Sequence, residues 1–195
     1  MTDTVHLMRH GAVDNPGQIR YGRIPGYELS EQGREQARRA AGYLRTLAPP
    51  VVRIVASPLD RTIETAEIMQ RELELPAIAT DERLIEAFSD FDGLSKLAFL
   101  DPHHWRKLRN PFVPSWGEPF RDVAARMHAA IAELRAASPG PLLLVTHQSP
   151  IWIARQAYRS PRTPPWTSPM RVTPGSITTL HFDRGSFTGD TYWTP

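Results

Sequence analysis

The alternation of apolar, strand-like runs with helical segments most constrains the fold of this chain. Residues 5–9, 51–56 and 142–146 form short, largely apolar runs, which suits strands buried in a parallel sheet. The segments between them place apolar residues three or four positions apart, which is the period of an amphipathic helix. This order predicts a three-layer α/β/α fold with an open, mostly parallel sheet.

The C-terminal part of the chain predicts one antiparallel edge strand. Residues 176–182 alternate as a strand does, and Asp183-Arg184-Gly185-Ser186 is typical of a turn into a last strand at 187–193. Residues 87–118 are rich in aromatics without a clear period, which predicts an insertion that covers the C-terminal strand ends. Residues 159–175 are proline-rich and predict an extended segment. Neither a repeat nor a linker is evident, so a single domain over 1–195 is expected.

Serines mark three predicted helix starts. Ser30 is expected to cap a helix that carries small residues at helical spacing. Ser57 is expected to cap a second helix, with Pro58 at its first position and Asp60 completing a capping box. Ser149 is expected to cap a third helix over residues 151–158. Since helical side chains lean toward the N-terminus, Arg61 should point back at the end of the preceding strand.

Composition and charge exclude several classes of function. The net charge is only +2, and no run of Lys and Arg indicates nucleic-acid binding. No apolar run approaches the length that crosses a membrane. The absence of cysteine excludes disulfides and thiolate chemistry. The N-terminus shows no basic region followed by an apolar stretch, so a secretory signal is not expected and a cytoplasmic location is the default.

Cationic side chains stand at three strand ends of the predicted sheet. Arg9 and His10 close the first strand, His147 closes the strand at 142–146, and Arg61 follows the strand at 51–56. Carboxyl ends of parallel strands meet at one edge of an open sheet, where ligands bind. Two imidazoles and two guanidiniums suit a dianionic phosphate, because arginine binds phosphate oxygens in a bidentate fork. The sequence therefore predicts a phosphate pocket.

Five motifs in order resemble the histidine phosphatase superfamily, the phosphoglycerate mutase-like group. They are Arg9-His10-Gly11 and the segments at 29–37, 57–66, 84–86 and 145–147, so the resemblance covers residues 4 to about 155. The mutase branch carries a basic, aromatic insertion after the acid, and residues 87–95 show nothing similar. The resemblance therefore implies a phosphatase rather than a mutase. It also implies the three-layer fold.

The resemblance implies covalent catalysis in a pocket without a metal or another cofactor. His10 would attack phosphorus and form a phosphohistidine, and Glu86 would protonate the leaving oxygen. Gly11 would let the backbone pass close to the phosphate and help to orient the imidazole. The phosphate oxygens would be held by Arg9, Arg61 and His147. The expected partner is a small phosphorylated substrate, with no nucleic acid and no membrane, and a homodimer stays open.

The residues after Gly11 depart from the family pattern. Ala12 and Val13 stand where members often have Glu-Thr, and Pro16 stands where a pocket asparagine would fall. Asn15 or Gln18 is expected to take over that substrate-binding role.

Alternatives stay open for the acid and for the function. Glu82 is a rival to Glu86 as the acid, and Asp90 and Asp92 are more distant ones. Glu118 is interpreted as a charge at a helix start rather than a ligand. The alternative functions are phosphoryl transfer of the phosphoglycerate mutase type and a low-activity module that binds phosphoesters or phosphoproteins.

Overall fold

A mixed sheet organises the structure, a computed structural model that describes residues 2–95, 97–98, 101–103, 105, 110 and 114–195. Within these residues the sheet has six strands in the order β3-β2-β4-β1-β5-β6. The strands are β1 (Thr2–Arg9), β2 (Arg53–Ala56), β3 (Ala79–Thr80), β4 (Leu142–Thr146), β5 (Ile177–Asp183) and β6 (Ser186–Trp193).

Strand direction places the ends of β1, β2 and β4 at one edge of the sheet. β4 pairs in parallel with both β1 and β2, and Arg9 lies opposite Thr146 in that register. β5 runs antiparallel to β1, and β6 runs antiparallel to β5. The predicted fold class is confirmed, and the C-terminal hairpin supplies the antiparallel edge.

Four helices cover the two faces of the sheet within the described residues. They are α1 (Glu31–Arg45), α2 (Asp60–Leu73), α3 (Phe120–Ala136) and α4 (Gln148–Arg159). Alternate side chains of β4 pack on opposite faces of the sheet. Leu143 and Val145 pack with α1 and α2, whereas Leu142 and Leu144 pack with α3 and α4. Burial on both faces explains why residues 142–145 of this strand are all apolar.

Of the three predicted serine caps, one is confirmed and two are wrong. The Ser30 hydroxyl accepts a hydrogen bond from the Gly33 amide at 3.1 Å and caps α1 as predicted. α2 begins at Asp60, and its N-cap Leu59 has no capping side chain, so the prediction of Ser57 as the cap is wrong. α4 begins at Gln148 after His147, three residues before the predicted start, and Ser149 lies inside it.

The predicted cover at 87–118 is tied to the loop that follows β1. Isolated bridges join Ile19 to Ser95 and Ser89 to Gly117, and Phe91 is buried. Residues 96, 99–100, 104, 106–109 and 111–113 of this stretch lie outside the described residues. That the stretch covers the pocket stays a prediction. Among the described helices, none has the length and apolar character needed to cross a bilayer.

Candidate active site

The ends of β1 and β4 bring two histidines face to edge. His10 follows β1, and its amide donates to the Thr146 carbonyl at 3.1 Å. His147 follows β4, and the two ring centroids are 5.3 Å apart. Arg61, in the first turn of α2, places Nη2 3.3 Å from His147 Nδ1. The structure thus brings together residues that are 137 positions apart at most.

The His10 imidazole is oriented by the backbone. Its Nδ1 lies 2.7 Å from the Gly11 carbonyl oxygen, and the residue is 1% exposed. A carbonyl only accepts, so Nδ1 carries the proton and Nε2 keeps its lone pair. Burial, followed by the charges of Arg61 and Arg9, holds the pKa of His10 well below its usual range. Nε2 is therefore a neutral nucleophile at pH 7.

The need for glycine at position 11 comes from packing against α1. A Cβ on Gly11 would lie 2.3 Å from the Gly33 carbonyl oxygen, and a Cβ on Gly33 would lie 2.0 Å from that of Ala12. The Gly11 amide also donates to the Thr65 hydroxyl at 3.2 Å. The close approach to α1 thus requires glycine here, and an approach of this backbone to a phosphate stays a prediction. The expected orientation of the imidazole does arise from the Gly11 carbonyl.

Arg61 is a buried cation without a carboxylate partner among the described residues. It is 1% exposed, and its Nη2 donates to the Gly22 carbonyl at 2.5 Å. Its Nε has no hydrogen-bond partner within the part of the chain that the structure describes. The guanidinium carbon lies 4.8 Å from the centroid of the Tyr21 ring. A buried cation with unsatisfied donors is the arrangement that an incoming anion would complete.

His147 is held between Arg61 and Ser57. Arg61 donates to Nδ1, so Nε2 carries the proton and donates to the Ser57 hydroxyl at 2.8 Å. Burial, followed by the charges of Arg61 and His10, keeps the pKa of His147 well below its usual range. Ser57 is fully buried. Sequence reasoning missed this partner because the same serine also fits a helix cap.

Arg9 is positioned by the proline-rich segment. Its Nη1 donates to the Val172 carbonyl at 2.7 Å, and Val172 is buried. Nε of Arg9 is buried and has no partner among the described residues. The extended segment at 159–175 therefore supports one side of the site.

Glu86 and His10 line the same cavity. Its Oε1 accepts from the Ala87 amide at 2.8 Å. Burial raises the pKa of Glu86, and the Ala87 amide, Arg61 and Arg9 oppose that rise. A carboxyl with a raised pKa is protonated closer to neutral pH, which is what a general acid requires.

The rival carboxylates are placed differently. Glu82 lies in a short 3₁₀ helix (Glu82–Leu84) and is exposed, as is Asp90. Asp92 also lines the pocket, where burial raises its pKa, and its Oδ2 accepts from the Arg23 amide at 3.2 Å. The geometry favours Glu86 over the two exposed groups.

A cavity of roughly 400 Å³ opens above His10. Asn15 does not line it, because its side-chain amide closes onto the Ile19 backbone at 2.9 Å. Gln18 is exposed, with φ at 48°, and does not line it either. The walls also include residues that sequence reasoning did not place there or left undecided: Ile19, Arg20, Tyr21, Gly22, Gln148 and Ser149.

Arg23 fastens the loop beside the cavity. Its Nε donates to the Glu86 carbonyl at 2.7 Å, and its Nη2 pairs with Glu118 at 2.8 Å. Glu118 also pairs with Arg126 at 2.8 Å. Although burial alone raises the pKa of Glu118, Arg126 and then Arg23 bring it below its usual value. Glu118 is thus a structural anion that holds the cavity wall.

The family follows from comparison with known proteins. The model of the histidine phosphatase superfamily, branch 1, matches residues 5–193. The chain belongs to this superfamily. Its relatives include the uncharacterized protein Rv0525 of Mycobacterium tuberculosis, 41% identical over 92% of this chain and 90% of the relative. Glucosyl-3-phosphoglycerate phosphatase of the same organism is 33% identical over 72% of this chain and 68% of the relative.

Solved structures of similar proteins agree in fold. YhfR of Bacillus stearothermophilus superposes with a TM-score of 0.79 at 28% identity, covering 96% of this chain and 95% of the other. Mycobacterial glucosyl-3-phosphoglycerate phosphatase superposes with a TM-score of 0.74 at 27% identity, covering 100% and 98%. The predicted resemblance is confirmed, and the superfamily and these relatives indicate phosphatase activity.

In this histidine phosphatase superfamily member, metal ligands are not clustered among the described residues. Those residues contain no group of three or more His, Cys, Asp or Glu side chains that could hold a metal ion. Arg9 and Arg20 line the cavity, and Arg61 lies close enough to His10 for its charge to lower the pKa of that imidazole. The groups that could bind an anion here are therefore guanidinium and imidazole groups.

Proposed function

We propose that the protein is a metal-independent phosphomonoesterase that hydrolyses a small phosphorylated metabolite through a phosphohistidine on His10. The observation that carries the proposal is the 2.7 Å hydrogen bond from His10 Nδ1 to the Gly11 carbonyl. It leaves the Nε2 lone pair for attack on phosphorus. Arg9 and Arg61 lie close enough to lower the pKa of this imidazole by their charge.

The first chemical step transfers the phosphoryl group to the enzyme. His10 Nε2 forms a bond to phosphorus while the bond from phosphorus to the ester oxygen breaks. Glu86 gives its proton to that oxygen, and the alcohol leaves. Arg9 and Arg61 offer N–H donors to the phosphoryl oxygens, where charge is spread in the transition state. His147 becomes a further donor at Nδ1 when the incoming anion raises its pKa and the ring takes up a proton.

The second step returns the enzyme to its starting state. Glu86, now ionised, takes a proton from water as the water oxygen bonds to phosphorus. The bond between phosphorus and His10 Nε2 breaks, and inorganic phosphate leaves. One carboxyl group thus serves as acid and then as base, and the proton balance closes over the cycle.

The test is isolation of the phosphoenzyme together with turnover in EDTA. The protein should hydrolyse an aryl phosphate with EDTA present, and rapid quenching should trap an acid-labile, alkali-stable phosphoryl group. His10→Gln should lose both the adduct and turnover. His181→Gln is the matched control, since His181 bonds to Thr191 on the C-terminal hairpin away from the cavity. Labelling that persists in His10→Gln would refute the proposal.

The role of Glu86 has its own comparison. Glu86→Gln should lower turnover by about 10²–10⁴-fold, with the greater loss for esters of poor leaving groups. Glu82→Gln changes an exposed carboxylate in the adjacent 3₁₀ helix and should retain full activity. The opposite ranking of the two variants would assign the acid to Glu82.

A further inference from the structure

A second cavity of roughly 260 Å³ lies beside the phosphate cavity. Its apolar walls come from the stretch after Glu86, from the start of α3, from α4 and from the proline-rich segment. These walls are Phe88, Pro114, Trp116, Phe120, Trp152 and Met170.

The two cavities are contiguous. Arg20, Ala87 and Ser149 line both of them. Ala87 follows Glu86 directly, and Glu86 is the group placed to protonate the leaving oxygen. The second cavity therefore begins next to the residue proposed as the acid, where the ester oxygen of the proposed reaction would be protonated.

Two walls of the second cavity expose apolar surface in the part of the chain that the structure describes. Phe88 is 48% exposed and Met170 is 44% exposed, although both are large apolar side chains. The acidic group in this wall is already neutralised, because Glu118 pairs with Arg23 and Arg126. Exposed apolar side chains around a concavity mark a binding site for an apolar group.

We infer that the leaving group of the substrate carries an aromatic ring that lies in this second cavity; the inference rests on the proposed phosphatase function. Aromatic walls at Phe88 and Trp116 suit a flat ring, which packs against such faces in stacked or edge-on geometry. The exposure of Phe88 favours contact with a ligand over packing in the core. Binding energy from this remote group then supports chemistry at phosphorus.

The experiment compares benzyl phosphate with propyl phosphate, two alkyl esters with similarly poor leaving groups. The wild-type protein should prefer benzyl phosphate by about 10–100-fold in kcat/KM, the range that hydrophobic pocket contacts supply. Phe88→Ala should reduce that preference by about 10-fold. Leu97→Ala is the control, because Leu97 is 65% exposed and lines neither cavity, and its preference should stay unchanged.

Two outcomes overturn the inference while the phosphatase function stands: equal kcat/KM for the two esters, or an unchanged preference in Phe88→Ala. If neither ester is hydrolysed, calorimetry with benzylphosphonate and propylphosphonate separates the two proposals. Tighter binding of benzylphosphonate, reduced in Phe88→Ala, would retain the aromatic cavity; the hydrolase is rejected if the aryl phosphate is not hydrolysed either. Equal binding of the two phosphonates would reject the aromatic cavity as well.

Discussion

Replacing Gly33 with alanine should disrupt the loop that carries His10. A Cβ at this position would lie 2.0 Å from the Ala12 carbonyl oxygen, which must retreat by about 1.4 Å to reach ordinary contact at 3.4 Å. That oxygen accepts from the Ser30 amide at 2.9 Å and from the Ser30 hydroxyl at 3.2 Å. The Ala12 amide donates to Gln36 at 2.9 Å.

Losing these hydrogen bonds costs about 1 kcal/mol each, and the higher helix propensity of alanine returns up to about 1 kcal/mol. Gly33→Ala should therefore lower the free energy of unfolding by about 2 kcal/mol. Gly42 lies on the same helix, and a Cβ there meets no atom within 4 Å. Gly42→Ala should raise the free energy of unfolding by up to about 1 kcal/mol.

Urea unfolding of both variants measures this difference, and hydrolysis of an aryl phosphate measures its effect on the site. A displacement near 1 Å at a reacting group can lower the rate by about 10²-fold, and Ala12 lies two residues from His10. We expect Gly33→Ala to lose activity and Gly42→Ala to retain it. Equal stability and equal activity of the two variants would refute the argument that α1 sets the position of the His10 loop.

Three further outcomes follow from buried polar groups. Burial, with a smaller contribution from His181, lowers the pKa of His6 to about 4, so between pH 6.5 and pH 4 the unfolded chain binds a proton that the folded chain does not. The free energy of unfolding, which has its full value above pH 6.5, should therefore fall by about 3 kcal/mol toward pH 4. Urea unfolding across this range should show a flatter profile in His6→Gln. Ser57→Ala leaves the His147 N–H without its acceptor, so it should lower the free energy of unfolding by about 1–3 kcal/mol and weaken phosphate binding. Thr178→Val is the control, because it removes a buried hydroxyl with no partner among the described residues. Urea unfolding and calorimetry with phosphate should show no change in Thr178→Val. Binding of vanadate at pH 6.5 should take up protons, because an anion raises the pKa of His147; a binding enthalpy that is independent of the buffer would contradict this.

Elements whose signals are local could be predicted from the sequence. The Ser30 cap needs only Gly33, three residues away, and it is confirmed. The apolar run of β4 needs only its own composition. The predicted start of α2 was wrong because Ser57 fits the local pattern of a helix cap, whereas its hydroxyl bonds to His147, 90 residues away. Long-range contacts of this kind leave no periodic signal in the chain.

The same distinction applies to the candidate site. The strand pattern predicted that His10 and His147 lie close together, because the carboxyl ends of parallel strands meet at one edge of the sheet. The loop after Gly11 carried no comparable constraint. Asn15 was expected at the substrate, yet its amide closes a local turn onto Ile19, and Tyr21 lies over Arg61 instead. A single sequence does not show which of several polar loop residues turns inward.

The central place of β1 has a consequence for biosynthesis. β1 is made first, yet its neighbours in the sheet are β4 and β5: Val5 lies opposite Leu142 on one side, and Leu7 lies opposite Thr178 on the other. At about 5–20 residues per second, a ribosome needs on the order of 10 s to reach β4 after β1. During that interval β1 has two unpaired edges on the nascent chain, and such edges are prone to aggregation. His10, the proposed nucleophile, is therefore synthesised well before β4 and His147, which complete its surroundings.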